Sequence, residues 1–179
     1  CLALYVLLGA AANNVSTLAF LLTVGFTSWG INVLNMWPSI LGVVLYSLVK
    51  REKLGGNVNA MLFSTGLAPL VTELMVRYPH AEAVGFRLTG VALGLAVGVA
   101  IGFFLPAGLA HSPKVHKGYD LYSAALPVGM AAFFLQAVLY KTMGVDLPAA
   151  PAAETLKVAS RLTVNTFCIA VFGILVIAA

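Results

Sequence analysis

Glu73 is a carboxylate set inside an apolar run, VNAMLFSTGLAPLVTELMV, residues 58–76. An ionisable group in such a run is costly and marks a functional position by default, facing either water or a partner charge. Arg77 follows four residues later, the order that favours an ion pair on one helix face. Four amides, Asn32, Asn35, Asn59 and Asn165, lie in or beside the apolar runs, and Thr65 shares the run of Glu73. An amide both donates and accepts hydrogen bonds. Gathered around a cavity, these groups would replace the hydration of a small polar solute; taken singly, each serves as well to cap a helix break or to bond between helices. Tyr119 and Asp120 add a hydroxyl and a charge within HSPKVHKGYDLYSAALPVG, residues 111–129. The solute-binding candidates are therefore Asn32, Asn35, Asn59, Thr65, Glu73, Tyr119, Asp120 and Asn165, with Asn35, Asn59, Glu73 and Asp120 expected to converge on one wet cavity.

The two histidines of that stretch, His111 and His116, are five apart with Pro113 between them, in what reads as the loop after a span. Helical metal-binding histidines stand four apart, and His80 lies in a different loop, so neither a metal nor a cofactor is expected. The zinc-protease, phosphate-loop and nucleophile-elbow patterns are absent. The chain is not read as an enzyme, and no catalytic residue is assigned.

The elements that must position these groups are membrane helices. Of 179 residues, 61% are hydrophobic and 9% charged, against about 25% charged in a soluble domain. The apolar runs recur along the whole length, as in a multi-pass protein with no soluble domain beside it. The +4 charge is of the kind that loop lysines and arginines contribute when they orient spans, and suggests no nucleic-acid partner. Cys1 lies in an apolar run without a starting Met, which reads as the start of a fragment; Cys168 reads as a small core hydrophobe.

Several runs are too short or too interrupted to cross alone, since a full span needs about 20 apolar residues. GINVLNMWP (residues 30–38) breaks the pattern with Gly, two Asn and Pro38, and only a half-length helix remains before KREK at 50–53. Pro69 interrupts the Glu73 run and Pro127 the run 121–140. Bare backbone at membrane depth is tolerated only where buried in protein or lining a wet cavity. The clean span is 88–109, in which Gly90, Gly94, Gly98 and Gly102 form a four-residue repeat, a ridge on which another helix can pack closely. If the spans alternate, Lys50, Arg51, Lys53, Lys114 and Lys117 fall on one side and Arg77, Arg87, Lys141, Lys157 and Arg161 on the other; only the tight 50–53 cluster favours its side as cytoplasmic. The order Gly, Pro38, Gly42, Tyr46, Lys50 is echoed by Gly118, Pro127, Gly129, Tyr140, Lys141 with two spans between, the parity of an inverted repeat.

GINVLNMWPSILGVVLYSLVK, NVNAMLFSTGLAPLVTELM and HKGYDLYSAALPVGM, in that order, resemble a family of bacterial polytopic membrane proteins of unknown function, DUF fifteen seventy-six. Its members carry similar N-x-W-P-x-x-L-G-V, LF-x-T-x-LAP-x-x-x-E and G-Y-N-L-Y-N segments. The likeness covers about residues 13–140, and Asn35, Trp37, Pro38, Gly42, Phe63, Thr65, Ala68, Pro69, Glu73, Gly118, Tyr119, Leu121 and Tyr122 match the pattern. Asp120 and Ser123 stand where the family tends to have Asn. The glycine–tyrosine turn also resembles, as a looser analogy, the short-helix turns of urea-transporter-type channels. Residues and resemblance together predict an all-α fold: one polytopic transmembrane helical bundle across 1–179 with broken or half-length helices and an inverted repeat. They place it as a multi-pass protein of the bacterial cytoplasmic membrane. The expected function is a channel or secondary transporter for a small polar solute or ion, with lipid and a second copy of the chain as partners. The competing expectation is a structural subunit whose glycine ridge meets another chain.

Overall fold

A computed structural model of the chain describes residues 2–78, 85–117, 119, 123–144, 165–170 and 173. The chain divides into two compact units, Cys1–Leu147 and Pro148–Ala179. In the second, residues 165–170 are helical. The first is built from helices α1 (Leu2–Leu7), α2 (Asn14–Phe26), α3 (Trp37–Lys50), α4 (Val58–Ser64), α5 (Ala68–Arg77), α6 (Leu88–His116) and α7 (Ala125–Gln136). No strand occurs among the described residues.

Four of the helices, α2, α3, α5 and α7, start where their sequence makes starting cheap. Asn13 caps α2: its side chain accepts from the Ser16 N–H at 2.9 Å while Ser16 Oγ accepts from the Asn13 N–H, satisfying donors the first turn leaves without partners. Pro38 and Pro69 occupy the first turns of α3 and α5, where a missing N–H removes no helical bond. Pro127 falls in the first turn of α7 in the same way, so the run 121–140 is not broken there; the helix simply begins at Ala125 and ends in a π-helical turn, Ala137–Thr142. The opposite correction applies to the loop expected after residue 109. Helix α6 continues through Pro106 and Pro113 to His116, and Lys117, in the left-handed region at φ 51°, ends it. His111 and His116 are thus helical, on different faces.

Among the described residues, three helical stretches are long and apolar enough to cross a membrane: Leu54–Arg77, Leu88–His116 and Ala125–Thr142. The first is α4 and α5 joined through the tight turn Thr65–Leu67, which Phe26 and Val128 flank at Gly66. Helix α3, at 14 residues, is the half-length helix that the sequence predicts.

The glycine ridge sets how these elements meet. A Cβ on Gly90 would stand 2.7 Å from the Leu74 carbonyl oxygen, and one on Gly94 2.9 Å from that of Val71. At Gly98 it would come 2.5 Å from Pro38 Cβ and 3.1 Å from Val71, and at Gly102 it would overlap the Ser39 carbonyl. From the other side, Gly42 lies against Gly102 and Phe103. The N-terminal half of the ridge therefore holds α5, and the C-terminal half holds the start of α3. Both short helices use the ridge of one long helix, and Gly98 touches both.

The same contacts give direction. Helix α5 runs opposite to α6, from Val71 beside Gly98 and Gly94 to Tyr78 beside Gly90. Helix α3 runs with α6, from Pro38 at Gly98 to Tyr46, whose ring meets Phe103 edge-on at 5.8 Å. Helix α7 runs opposite to α6, with Pro127 against Gly108 and Leu139 in a cluster with Val97, Ile101 and Leu74. Lys50, Arg51 and Lys53 therefore share the end of the unit where Lys114 and Lys117 lie.

Gly102→Ala forces a methyl into the Ser39 backbone, so it is expected to destabilise the fold by about 1–3 kcal/mol, the usual range for overpacking. Gly129→Ala in α7, with nothing within 4 Å of the new methyl, is expected to be neutral or slightly stabilising. Thermal unfolding of the full chain in detergent compares the two.

Candidate functional site

Asn35 organises the break before α3. It is 3% exposed. Its Oδ1 accepts from the Asn32 N–H at 2.8 Å, and its Nδ2 donates to the Gly30 carbonyl at 2.9 Å and to Thr72 Oγ1, on α5, at 2.8 Å. Asn32 answers with its own Oδ1, which accepts from the N–H groups of Leu34 and Asn35. This is an Asx turn, in which the side chain takes the place of the missing helical carbonyl. Gly30, at φ 95°, supplies the left-handed residue that ends the preceding turn. The amides of GINVLNMWP thus satisfy unwound backbone and tie it to α5. Asn35 is buried and fully engaged, and Asn32 is exposed at the turn.

Thr65 is likewise internal: it is buried, and its hydroxyl donates to the Leu62 carbonyl at 2.7 Å, closing the turn between α4 and α5. Glu73 pairs with Arg77 at 3.4 Å, and both side chains are partly exposed. Tyr119 is 94% exposed. Asp120, with Gly118, Leu121 and Tyr122, lies outside the described residues. Asn165 is exposed and belongs to the second unit. The expected meeting of Asn35, Asn59 and Glu73 in one cavity does not occur. Asn35 is consumed by its own loop, and Glu73 stands 14 positions beyond Asn59 on the α4–α5 rod, about 20 Å at 1.5 Å per residue.

Among the described candidates, Asn59 is the one that lines a cleft. Two adjoining clefts share it. One, of about 360 Å³, is bounded by α2, α4, α6 and the start of α7, with Asn57, Asn59 and Ser123 among apolar walls that include Phe63, Pro106 and Leu109. The other, of about 380 Å³, lies between the end of α1 and the start of α4, with Tyr5, Asn13, Lys53 and Asn59 on its walls. Tyr5 donates its phenolic O–H to Asn59 Oδ1. That bond orients the amide and leaves the Nδ2 donors without a partner among the described residues. Asn57 is occupied, its Nδ2 shared between Ser47 Oγ at 3.0 Å and Glu52 Oε2 at 2.8 Å.

Sequence spacing missed one contact here. His116 Nε2 lies 2.9 Å from Ser123 Oγ, across the turn from α6 to α7. A seven-residue separation through a loop carries no periodic signal, whereas the Tyr5–Asn59 bond, 54 residues apart, could be found only by folding the chain.

Three helices of this length and apolarity mark a membrane protein. The chain belongs to the family described as protein of unknown function (DUF1576), whose model matches residues 1–141. Neither a curated protein nor a solved structure matches it.

Replacing Asn35 by Leu strands the Asn32 N–H, leaves the Gly30 carbonyl only its 3.5 Å contact with Asn32 Nδ2 and cuts the tie to Thr72, an expected loss of about 1–3 kcal/mol. Glu73→Gln removes a long, partly exposed pair, expected to contribute about 0–1 kcal/mol. Urea unfolding in mixed micelles should therefore rank Asn35→Leu well below Glu73→Gln, and the reverse order would contradict the assignment of Asn35 as the anchor of the break.

Proposed function

We propose that the chain is a multi-pass channel or secondary transporter for a small polar solute, and that the solute passes through the Asn59 clefts. The observation that carries this reading is the pair of clefts meeting at one oriented amide: the first has a few polar groups on mostly apolar walls, the usual make-up of a small-molecule site, and the second is lined by polar and apolar groups alike. Half-length α3, the interrupted α4–α5 rod and the internally satisfied break at Asn35 support it, since transporters place discontinuous helices around their solute path. The opposite directions of α3 and α7 along α6 fit an inverted pair. The shared basic end, with Lys50, Arg51, Lys53, Lys114 and Lys117, favours a cytoplasmic orientation for the clefts in a bacterial inner membrane. No catalytic step is part of this reading, and His116–Ser123 serves as a tie between α6 and α7.

One observation favours a structural subunit instead. Helix α7 is apolar all round and exposes Met130, Phe133 and Phe134, a surface that another chain could cover as well as lipid. The glycine ridge no longer supports that alternative, because α3 and α5 fill it.

Uptake into proteoliposomes decides between the two. Against a panel of urea-like neutral solutes, small anions and amino acids, the full-length protein is expected to pass at least one class faster than empty liposomes. Asn59→Leu should lower that flux by about tenfold, the equivalent of one lost hydrogen bond to the solute, while Glu73→Gln stays close to wild type. Fluxes equal to empty liposomes throughout would leave the subunit reading standing.

A further inference from the structure

The cleft between α1 and α4 differs from its neighbour in carrying a cation. Lys53 stands on its wall with Asn59, Asn13 and Tyr5. Among the described residues lining either cleft there is no aspartate or glutamate. The nearest carboxylate in sequence, Glu52, is turned to Asn57 Nδ2 at 2.8 Å, and Asn57 lines the other cleft. Lys53 makes no ion pair among the described residues, and the 50–53 segment as a whole has three cations against one acid.

The donors are also better defined than the acceptors. The Tyr5 phenol proton is committed to Asn59 Oδ1, which occupies one lone pair of the amide carbonyl and leaves the Nδ2 hydrogens without a partner among the described residues. Asn13 Oδ1 is likewise committed, accepting from the Ser16 N–H at 2.9 Å and from the Ser16 hydroxyl. What the side chains still offer a guest is the Lys53 ammonium and the NH₂ groups of Asn59 and Asn13, against the remaining lone pairs of two neutral oxygens, Tyr5 Oη and Asn59 Oδ1. A cation would meet the like charge of Lys53 with no carboxylate on the walls to offset it. A small anion with two acceptor oxygens would meet a charge-assisted bond on one side and a neutral donor on the other, the stronger of the two matches.

We propose that the Lys53–Asn59 cleft binds small monovalent oxyanions, carboxylates of acetate size, through Lys53 Nζ and Asn59 Nδ2. This rests on the solute reading above for its place in transport, but binding itself is measurable without flux. The probes are acetate and its neutral isostere acetamide, titrated against the full-length protein in detergent at constant ionic strength, with the unfolding temperature as readout, since a ligand that binds only the folded state raises it. Acetate is expected to give a saturable rise and acetamide little. Lys53→Gln should weaken the apparent acetate affinity by about tenfold, the scale of one charge-assisted bond. Lys50→Gln removes the same charge from outside the cleft and should leave the titration close to wild type, and Asn59→Ala should weaken it without altering the net charge. Equal responses to acetate and acetamide, no response to acetate, or identical effects of Lys53→Gln and Lys50→Gln would each overturn the proposal. Acetate binding without flux of any solute would remove the transport reading and keep the site; flux of a neutral solute without acetate binding would do the reverse.

Discussion

The close approach of backbone to backbone along the glycine ridge of α6 is the constraint on which the other features depend. Van der Waals contact is the main attraction between helices in lipid, where apolar side chains gain nothing by leaving the solvent. It falls away within an ångström of separation. Gly90 and Gly94 admit the carbonyls of α5, and Gly102 admits that of Ser39, because no Cβ stands between them. A half-length helix such as α3 cannot hold its depth by spanning. It holds it by lying on α6 with Gly42 against Gly102, while Pro38 fills the space over Gly98 that Val71 also borders. Depth, direction and the meeting of the two short helices all follow from four missing side chains.

The break that leads into α3 is a consequence of that placement. A helix starting partway along α6 brings its unwound approach with it, and the approach must satisfy its own backbone away from water. Asn32 and Asn35 do so locally, and Thr72 anchors the result to the same helix that occupies the other half of the ridge. The amides most suggestive of a solute path are thereby used up in making the fold. Asn59 escapes that fate because its position, at the first turn of α4 and opposite Tyr5, lies beside the open end of the helices rather than at the crossing.

Charge follows the same geometry. Since α3 runs with α6 and the α4–α5 rod runs against it, the basic residues that follow α3 and those that end α6 collect at one end, and Lys53 there lines one of the two Asn59 clefts. Glu73 and Arg77 sit at the other end and neutralise one another. The cleft-lining Asn59 and the intrahelical Glu73–Arg77 pair are thus separated along one rod, although Asn59 and Glu73 both begin as polar residues within a single apolar run.

The sequence by itself determined the helical class, the half-length α3, the ridge and the Glu73–Arg77 pair, because composition, Pro and Gly positions and the i, i+4 spacing act through local backbone geometry. It misread Pro113 as loop and Pro127 as a break, since proline's cost depends on whether its missing N–H falls in a first turn or within a helix that neighbours hold together. Which amides would be consumed and which would face a cleft was decided only by the tertiary structure. Asn35 meets Thr72, Asn59 meets Tyr5 and His116 meets Ser123 through contacts that no periodicity encodes. A side chain's hydrogen-bonding capacity is finite, and only the packing of distant helices settles whether it is spent on the chain or left for a guest.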